Sequence, residues 1–306
     1  MTTQRILNFM GGRKVAAIFS LILVLCSIAS LSVKGLVLGL DFTGGTQIEV
    51  GYPGAADLTV VRTQLSESGF ENPVVVYFGA ESDVLIRLQG KPDEGLSEVV
   101  VKSLDPEGKG DLELRRVDYV GPQVGEELRE DGGLGILAAL AVVMMYVAIR
   151  FQYKFAIGAV VALIHDVIIT LGFFSITGLE VDLTVLAAVL AVIGYSLNDT
   201  IVVADRIREN IRLLRAVELV EVINESLTQT LGRTVITSLT TVLVLVALFL
   251  FGGELIHNFS IALIVGIVIG TYSSIYVAAN ILIAIGLQRE NLLPPEKEGA
   301  EFDGLP

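Results

Sequence analysis

Residues 193–203 place one carboxylate, Asp199, inside an otherwise apolar run. A carboxylate at the centre of a membrane helix costs about 2.5–3.5 kcal/mol on insertion scales. Ser196, Asn198 and Thr200 lie beside it in sequence and can form hydrogen bonds with it. Burial disfavours the charged form of a carboxyl group, so Asp199 could bind and release a proton. The alternative is a permanent salt bridge or a hydrogen-bonded strut, and we predict the proton-binding role.

A second polar group begins the fifth long apolar block of the chain. Arg233, Thr237 and Thr240 or Thr241 fall on one face of a helix. An arginine stays charged, so its role would be electrostatic, as a partner of Asp199 or a gate on a water path. The alternative is an arginine that snorkels to the interface, with threonines bonded to their own backbone. Because Asp199 is also present, we predict the partner role.

His165 and Asp166 form another costly pair, near the middle of the third apolar block. A proton relay and hydrogen bonding between helices fit this pair equally well. We expect no metal site, because the only other histidine of the sequence, His257, belongs to a loop at the opposite side.

The last apolar block carries small residues at helical spacing, namely Gly266, Gly270 and Ser274. Such a stripe allows two helix backbones to approach closely, so it predicts helix packing.

Two features resemble enzyme motifs without meeting their requirements. Ser196 follows Gly194 and Tyr195, but the second glycine of a G-x-S-x-G nucleophile motif is missing. The glycine-containing segment 41–46 lacks the lysine of a phosphate loop and reads as a turn. We therefore predict that the chain is not an enzyme and has no cofactor.

The composition indicates an integral membrane protein. Hydrophobic residues make up 53% of the 306 residues, and the mean hydropathy is +0.70. A helix needs about 20 apolar residues to cross a bilayer. Six blocks reach or approach that length: 15–33, 134–149, 155–177, 183–203, 234–251 and 259–287.

Lysine and arginine residues predict the orientation, because they accumulate at the cytoplasmic ends of membrane helices. One side of the predicted bundle holds Arg5, Arg13, Lys14, Arg150, Lys154, Arg206, Arg208, Arg212, Arg215 and Arg289, whereas loops 178–182 and 252–258 have none. Both termini should therefore be cytoplasmic, with residues 41–132 outside. That segment has nineteen acidic and eight basic residues, which argues against binding of nucleic acid or anionic lipid there.

The outer segment alternates strand-like and helix-like stretches in the order β-α-β-β-α-β, which is typical of a small ferredoxin-like α+β domain. Asp57 is the expected N-cap of the first of its helices. The predicted organisation is an N-terminus at 1–14, a first membrane helix at 15–40, the outer domain at 41–132, five further membrane helices at 133–287 with an amphipathic connection at 204–232, and a disordered tail at 288–306.

Six stretches in order identify a family. They are Leu-Asp-Phe-Thr-Gly-Gly-Thr at 40–46, Val-Gly-Pro-Gln-Val-Gly at 120–125, Ala-Leu-Ile-His-Asp-Val at 162–167, the run 192–208, Arg-Thr-Val-Ile-Thr-Ser at 233–238 and Gly-Thr-Tyr-Ser-Ser-Ile at 270–275. Along nearly its whole length the chain resembles the SecD/SecF family of bacterial protein-export membrane proteins, and within it the smaller, SecF-type members. One departure is Ala204, where a bulkier residue is expected.

The resemblance implies one half of an RND-superfamily transporter in the bacterial inner membrane, with a periplasmic domain after the first of six helices. It implies pairing with SecD and work with the SecYEG channel, the SecA motor and YajC to move polypeptide with the proton-motive force. It assigns the intramembrane acid to Asp199 and its arginine to Arg233, with a second acid on SecD. Protons would be the coupling ion. The alternatives are a structural subunit that stabilises SecD or the channel, and a small-molecule exporter.

Overall fold

The computed structural model describes residues 6–70, 73–88, 95–105, 112–150, 153–214 and 217–287. Six of its helices are long and apolar enough to cross a membrane, which confirms the predicted membrane α-helical class. In chain order the elements are α1 (Arg13–Val33), β1 (Val37–Leu38), α2 (Leu40–Thr43), β2 (Gly45–Gly51), α3 (Leu58–Glu67), β3 (Val74–Phe78), β4 (Ala80–Leu88), α4 (Leu96–Leu104), β5 (Glu113–Val120), α5 (Pro122–Arg150), α6 (Tyr153–Thr177), β6 (Glu180–Val181), α7 (Leu183–Leu213), α8 (Leu219–Phe251) and α9 (His257–Ala284).

The membrane helices extend beyond the apolar blocks. α5 begins at Pro122, well before the apolar run that starts at 134. Proline is well tolerated in the first turn of a helix, so Pro122 can occupy this position. α7 continues to Leu213 and α8 starts at Leu219, so extensions of the two long helices occupy most of the connection predicted at 204–232. Hydropathy detects only the lipid-embedded part of a helix, which is why the bounds differ. Arg5, Arg215, Arg289 and the tail 288–306 lie outside the described residues.

α9 lies at the centre of the bundle and packs against α1, α6, α7 and α8. α5 packs against α6 and α7. Large apolar side chains on α1, α5 and α8 stay exposed, among them Phe19, Met145 and Leu243. In a membrane protein such surfaces contact lipid or another membrane helix.

The α+β domain has a four-stranded antiparallel sheet with the order β3-β4-β2-β5. α3 and α4 cover one face, and their core residues pack on strand residues such as Ile48 and Ile86. This order with two crossover helices is the ferredoxin-like arrangement that the sequence predicts. Asp57 caps α3 as expected, accepting a hydrogen bond from the Thr59 amide at 2.8 Å. β4 begins at Ala80, so Gly79 alone separates it from β3.

A short segment with α2 at its centre joins the domain to the bundle. β1 pairs in parallel with β6, which lies in the hairpin between α6 and α7. Gly44 has a φ of +72°, and a Cβ there would lie 2.8 Å from Pro122 Cα. Only glycine meets both demands. Residues 41–43 of the segment predicted as a turn instead form most of α2 and 45–46 begin β2, so the chain turns at Gly44 against the start of α5.

Candidate functional site

Asp199 lies on α7 and is 3% exposed. Its Oδ2 atom is buried and has no hydrogen-bond partner among the described residues. Arg233 of α8 acts on this carboxyl by charge. Among the described residues no direct ion pair joins Asp199 to Arg233, so their partner role acts by charge across α7 and α8 and stays a prediction.

Arg233 is exposed within this chain, and Thr241, one of the predicted threonines, accepts a hydrogen bond from the Tyr195 hydroxyl of α7 at 3.4 Å. Thr237 Oγ1 donates to the carbonyl of Arg233 at 2.9 Å, and Thr240 Oγ1 donates to that of Ile236 at 2.9 Å. These hydroxyl groups satisfy their own helix. The inward side of α8 is formed instead by the residues that directly follow Arg233 and Thr237 in the sequence.

Thr234 and Ser238 are those inward residues, and neither is among the candidates that the sequence predicts. Both are buried, and the Ser238 hydroxyl lies 2.7 Å from the Thr271 hydroxyl of α9. Thr234 Oγ1 has no partner among the described residues. Their spacing of four marks one helix face, but hydropathy could not tell which of two adjacent polar faces points inward.

Asp166 of α6 is the centre of a second polar cluster and is fully buried. Its Oδ2 accepts hydrogen bonds from Ser196 of α7 at 2.6 Å and from Ser273 of α9 at 2.7 Å. Its Oδ1 lies 2.9 Å from His165 Nδ1. This geometry fits the interhelical hydrogen-bonding interpretation, and it assigns Ser196 to Asp166 rather than to Asp199.

The two remaining candidates on α7 point in different directions. Thr200 is buried, and its Oγ1 has no partner among the described residues. Asn198 is exposed, on a face of α7 that also exposes Ala187, Ala191 and Gly194. Asn198 therefore lies next to the buried acid in sequence but faces away from the bundle.

The small residues of α9 lie against α7. A Cβ on Gly266 would collide with the Val192 side chain, and one on Gly270 would lie 3.0 Å from Ser196 Cβ. Ser274 is fully buried, and its hydroxyl donates to the Thr271 carbonyl at 2.9 Å. α9 also packs against α6, where Ser273 reaches Asp166.

A polar cavity of about 360 Å³ lies between the C-terminal parts of α5 and α7 and the N-terminal half of α8. Its lining includes Arg150, Asp205, Glu209, Gln229 and Arg233. Arg233 therefore contributes to this cavity as well as acting on buried Asp199. Among the described residues no group of three or more His, Cys, Asp or Glu side chains could hold a metal ion.

Two family models match the chain. The model described as "Protein export membrane protein SecD/SecF, C-terminal" covers residues 99–288, and the "SecD/SecF GG Motif" model covers residues 29–52. The chain belongs to the SecD/SecF family. The SecF translocase subunit of Vibrio alginolyticus is 50% identical over 100% of this chain and 99% of its own length. That of Pseudomonas aeruginosa is 53% identical over 97% of each chain.

The fold also matches solved structures. The crystal structure of SecDF from Thermus thermophilus, described as a translocon-associated membrane protein, superposes with a TM-score of 0.81 at 36% identity and covers 93% of this chain. A super-membrane-facing form of SecDF gives 0.73 at the same identity over 95% of this chain. This chain spans only 39% and 40% of those two proteins. Its relatives and apolar helices make it a multi-pass inner-membrane protein related to protein translocase subunits, whose names indicate a transport role.

Proposed function

We propose that this chain pairs with SecD and uses the proton-motive force to help move polypeptide through SecYEG, with SecA as motor and YajC as an accessory. The observation that carries the proposal is Asp199, a buried carboxyl group with one unpartnered oxygen and Arg233 as its cationic neighbour. A group with these properties can exchange a proton, and protons serve as the coupling ion without a cofactor.

The energy comes from the membrane potential. One proton that crosses 100 mV releases about 2.3 kcal/mol. Protonation of Asp199 removes its attraction to Arg233, so the preferred packing of α7 against α8 changes. The polar cavity beside Arg233 gives the proton a hydrated route on one side of the bundle.

The exposed face of α7 supports pairing with SecD. Ala187, Ala191, Gly194 and Asn198 form a stripe of small and polar residues at helical spacing. Such a face suits close contact with another membrane helix. A partner there would bring its own groups next to Asn198, the neighbour of Asp199 in the sequence. This chain covers 39% of the SecDF crystal chain, which leaves a SecD-type part to fill the remainder.

The charge distribution supports cytoplasmic termini and a periplasmic α+β domain. Arg150, Lys154 and Arg206 lie at one end of the bundle, at the junction of α5 with α6 and in the last turns of α7. The α+β domain lies at the other end, where β1 pairs with the α6–α7 hairpin. Basic residues favour the cytoplasmic side of a membrane.

Asp199→Asn tests the proposal, because an amide keeps the shape of the carboxyl group and cannot carry a proton. The variant is assembled with SecD in inverted membrane vesicles, and both proton flux and export driven by the proton-motive force are measured. We expect both to fall to the level without a proton-motive force. Asp131→Asn changes an exposed carboxylate of α5 that does not line the polar cavity, and it serves as the control.

Wild-type proton flux and export in Asp199→Asn would contradict the proposal. They would favour the structural-subunit alternative, since an isosteric amide preserves hydrogen bonding between helices.

A further inference from the structure

Two aspartate side chains from different segments accept hydrogen bonds from backbone amides in the first turn of α7. Asp182, its own N-cap, accepts a hydrogen bond from the Val185 amide at 2.9 Å. Asp41 Oδ2 accepts one from the Leu183 amide at 3.0 Å. The first amides of a helix have no partner within it, so each bond satisfies a group that would otherwise be unpaired. Asp182 belongs to the hairpin before α7, whereas Asp41 belongs to the segment that leads into the α+β domain.

The segment around Asp41 is firmly attached on both sides. Val37 and Leu38 pair with β6, and the Gly39 amide donates to the Val181 carbonyl at 2.8 Å. On the other side, Gly44 alone separates α2 from β2, which is an inner strand of the sheet. A displacement at Asp41 therefore reaches the sheet without passing through a long loop.

A side-chain ion pair adds a second contact between the domain and the same hairpin. Arg87, at the end of β4, lies 2.6 Å from Glu180, and the two side chains are 14% and 22% exposed. Asn258, in the first turn of α9, donates to the Glu180 carbonyl at 2.9 Å. The hairpin before α7 is thus tied to the domain and to the central helix.

We propose that Asp41 is a positioning residue that couples α7 to the α+β domain, so that a proton-dependent shift of α7 displaces the domain. This inference rests on the function proposed above. Asp199 lies sixteen positions after Leu183 on one continuous helix, which corresponds to about 24 Å at 1.5 Å per residue. A continuous helix transmits a shift along its length, and the bond from the Leu183 amide to Asp41 receives that shift at the helix end.

Asp41→Ala removes the acceptor and tests the coupling. Proton flux and export driven by the proton-motive force are measured for the variant with SecD in inverted membrane vesicles. We expect proton flux to persist while the ratio of export to flux falls about fivefold. That factor corresponds to the loss of a helix cap worth about 1 kcal/mol. Asp41→Asn should restore the ratio, since its amide oxygen accepts the same bond.

Leu183→Pro tests the same bond from the donor side. Proline is favoured at the first position of a helix but has no N–H, so it deletes the donor and keeps the helix. Asp182 has an extended backbone, which a following proline accepts. We expect Leu183→Pro to reproduce the low ratio, with Leu183→Ala as the control for the lost side chain. This variant also decides the question if Asp41→Ala fails to assemble.

Asp182→Ala is the matched control, because it removes an equivalent bond at the same helix end and leaves the link to the domain intact. The ratio of export to proton flux in Asp182→Ala should stay at the wild-type value. Equal ratios in Asp41→Ala and Asp182→Ala, or a wild-type ratio in Leu183→Pro, would refute the coupling role. Failure of the proposed function gives a different result, namely proton flux in the wild type that does not depend on Asp199.

Discussion

Two buried carboxyl groups of this protein differ in how well their oxygens are satisfied. Asp166 has hydrogen-bonding groups at both oxygens, from Ser196, Ser273 and His165. Asp199 has one oxygen with no partner among the described residues. A fully bonded group stabilises a single arrangement of helices. A partly bonded group can change its protonation state, so we assign structure to Asp166 and proton exchange to Asp199.

This difference in hydrogen bonding predicts that substitution lowers the free energy of unfolding much more at Asp166 than at Asp199. Asp166→Ala leaves buried donors on three helices without an acceptor, and each such group costs about 1–3 kcal/mol. We expect the free energy of unfolding in detergent to fall by about 2–4 kcal/mol, the range for one or two such groups. Asp199→Asn should change that free energy by less than about 1 kcal/mol, the size of one hydrogen bond. Equal losses in the two variants would contradict this division of roles.

At the scale of elements, α9 organises the bundle because its small residues let α7 approach. The sequence predicts the stripe of Gly266 and Gly270, since spacing along one helix is visible in the chain itself. It also predicts each strand and helix of the α+β domain. It could not predict that Ser196 bonds to Asp166, because three helices must be assembled before their inward faces are known. The inward face of α8 was missed for the same reason.

The packing of α9 on α7 gives a stability prediction. Gly266→Ala places a methyl group against the Val192 side chain, and overpacking of this kind costs about 1–3 kcal/mol. Gly194→Ala is the matched control, because a Cβ at Gly194 has nothing within 4 Å. We expect a lower unfolding free energy for the first variant and no loss for the second. Val192→Ala should rescue Gly266→Ala, and a failure to rescue would place the strain elsewhere.

At the scale of the whole molecule, the α+β domain and the bundle meet at the hairpin before α7. Three contacts converge there: the β1–β6 pair, the cap from Asp41 and the ion pair of Arg87 with Glu180. Beside these polar contacts, Phe42 of α2 packs with Val181 and Val185 in an apolar cluster at the same hairpin. Such a junction transmits small movements while the domain keeps its own core.

Glu180 makes this junction sensitive to pH. Burial raises the pKa of Glu180 above its ordinary value of 4.5, although the Arg87 guanidinium opposes the shift. Because the folded protein binds this proton more tightly than the unfolded chain, the stabilising contribution is complete below about pH 4.5 and is lost as the pH rises through the raised pKa.

Glu180→Gln is neutral at every pH and removes this dependence. We therefore expect the melting temperature of the wild type, relative to that of Glu180→Gln, to increase as the pH is lowered from about 7 toward 5, through the interval above the ordinary value. Glu113→Gln, which changes an exposed side chain of the α+β domain, should leave that dependence in place. Parallel pH profiles for the wild type and Glu180→Gln would show that the junction does not bind the proton.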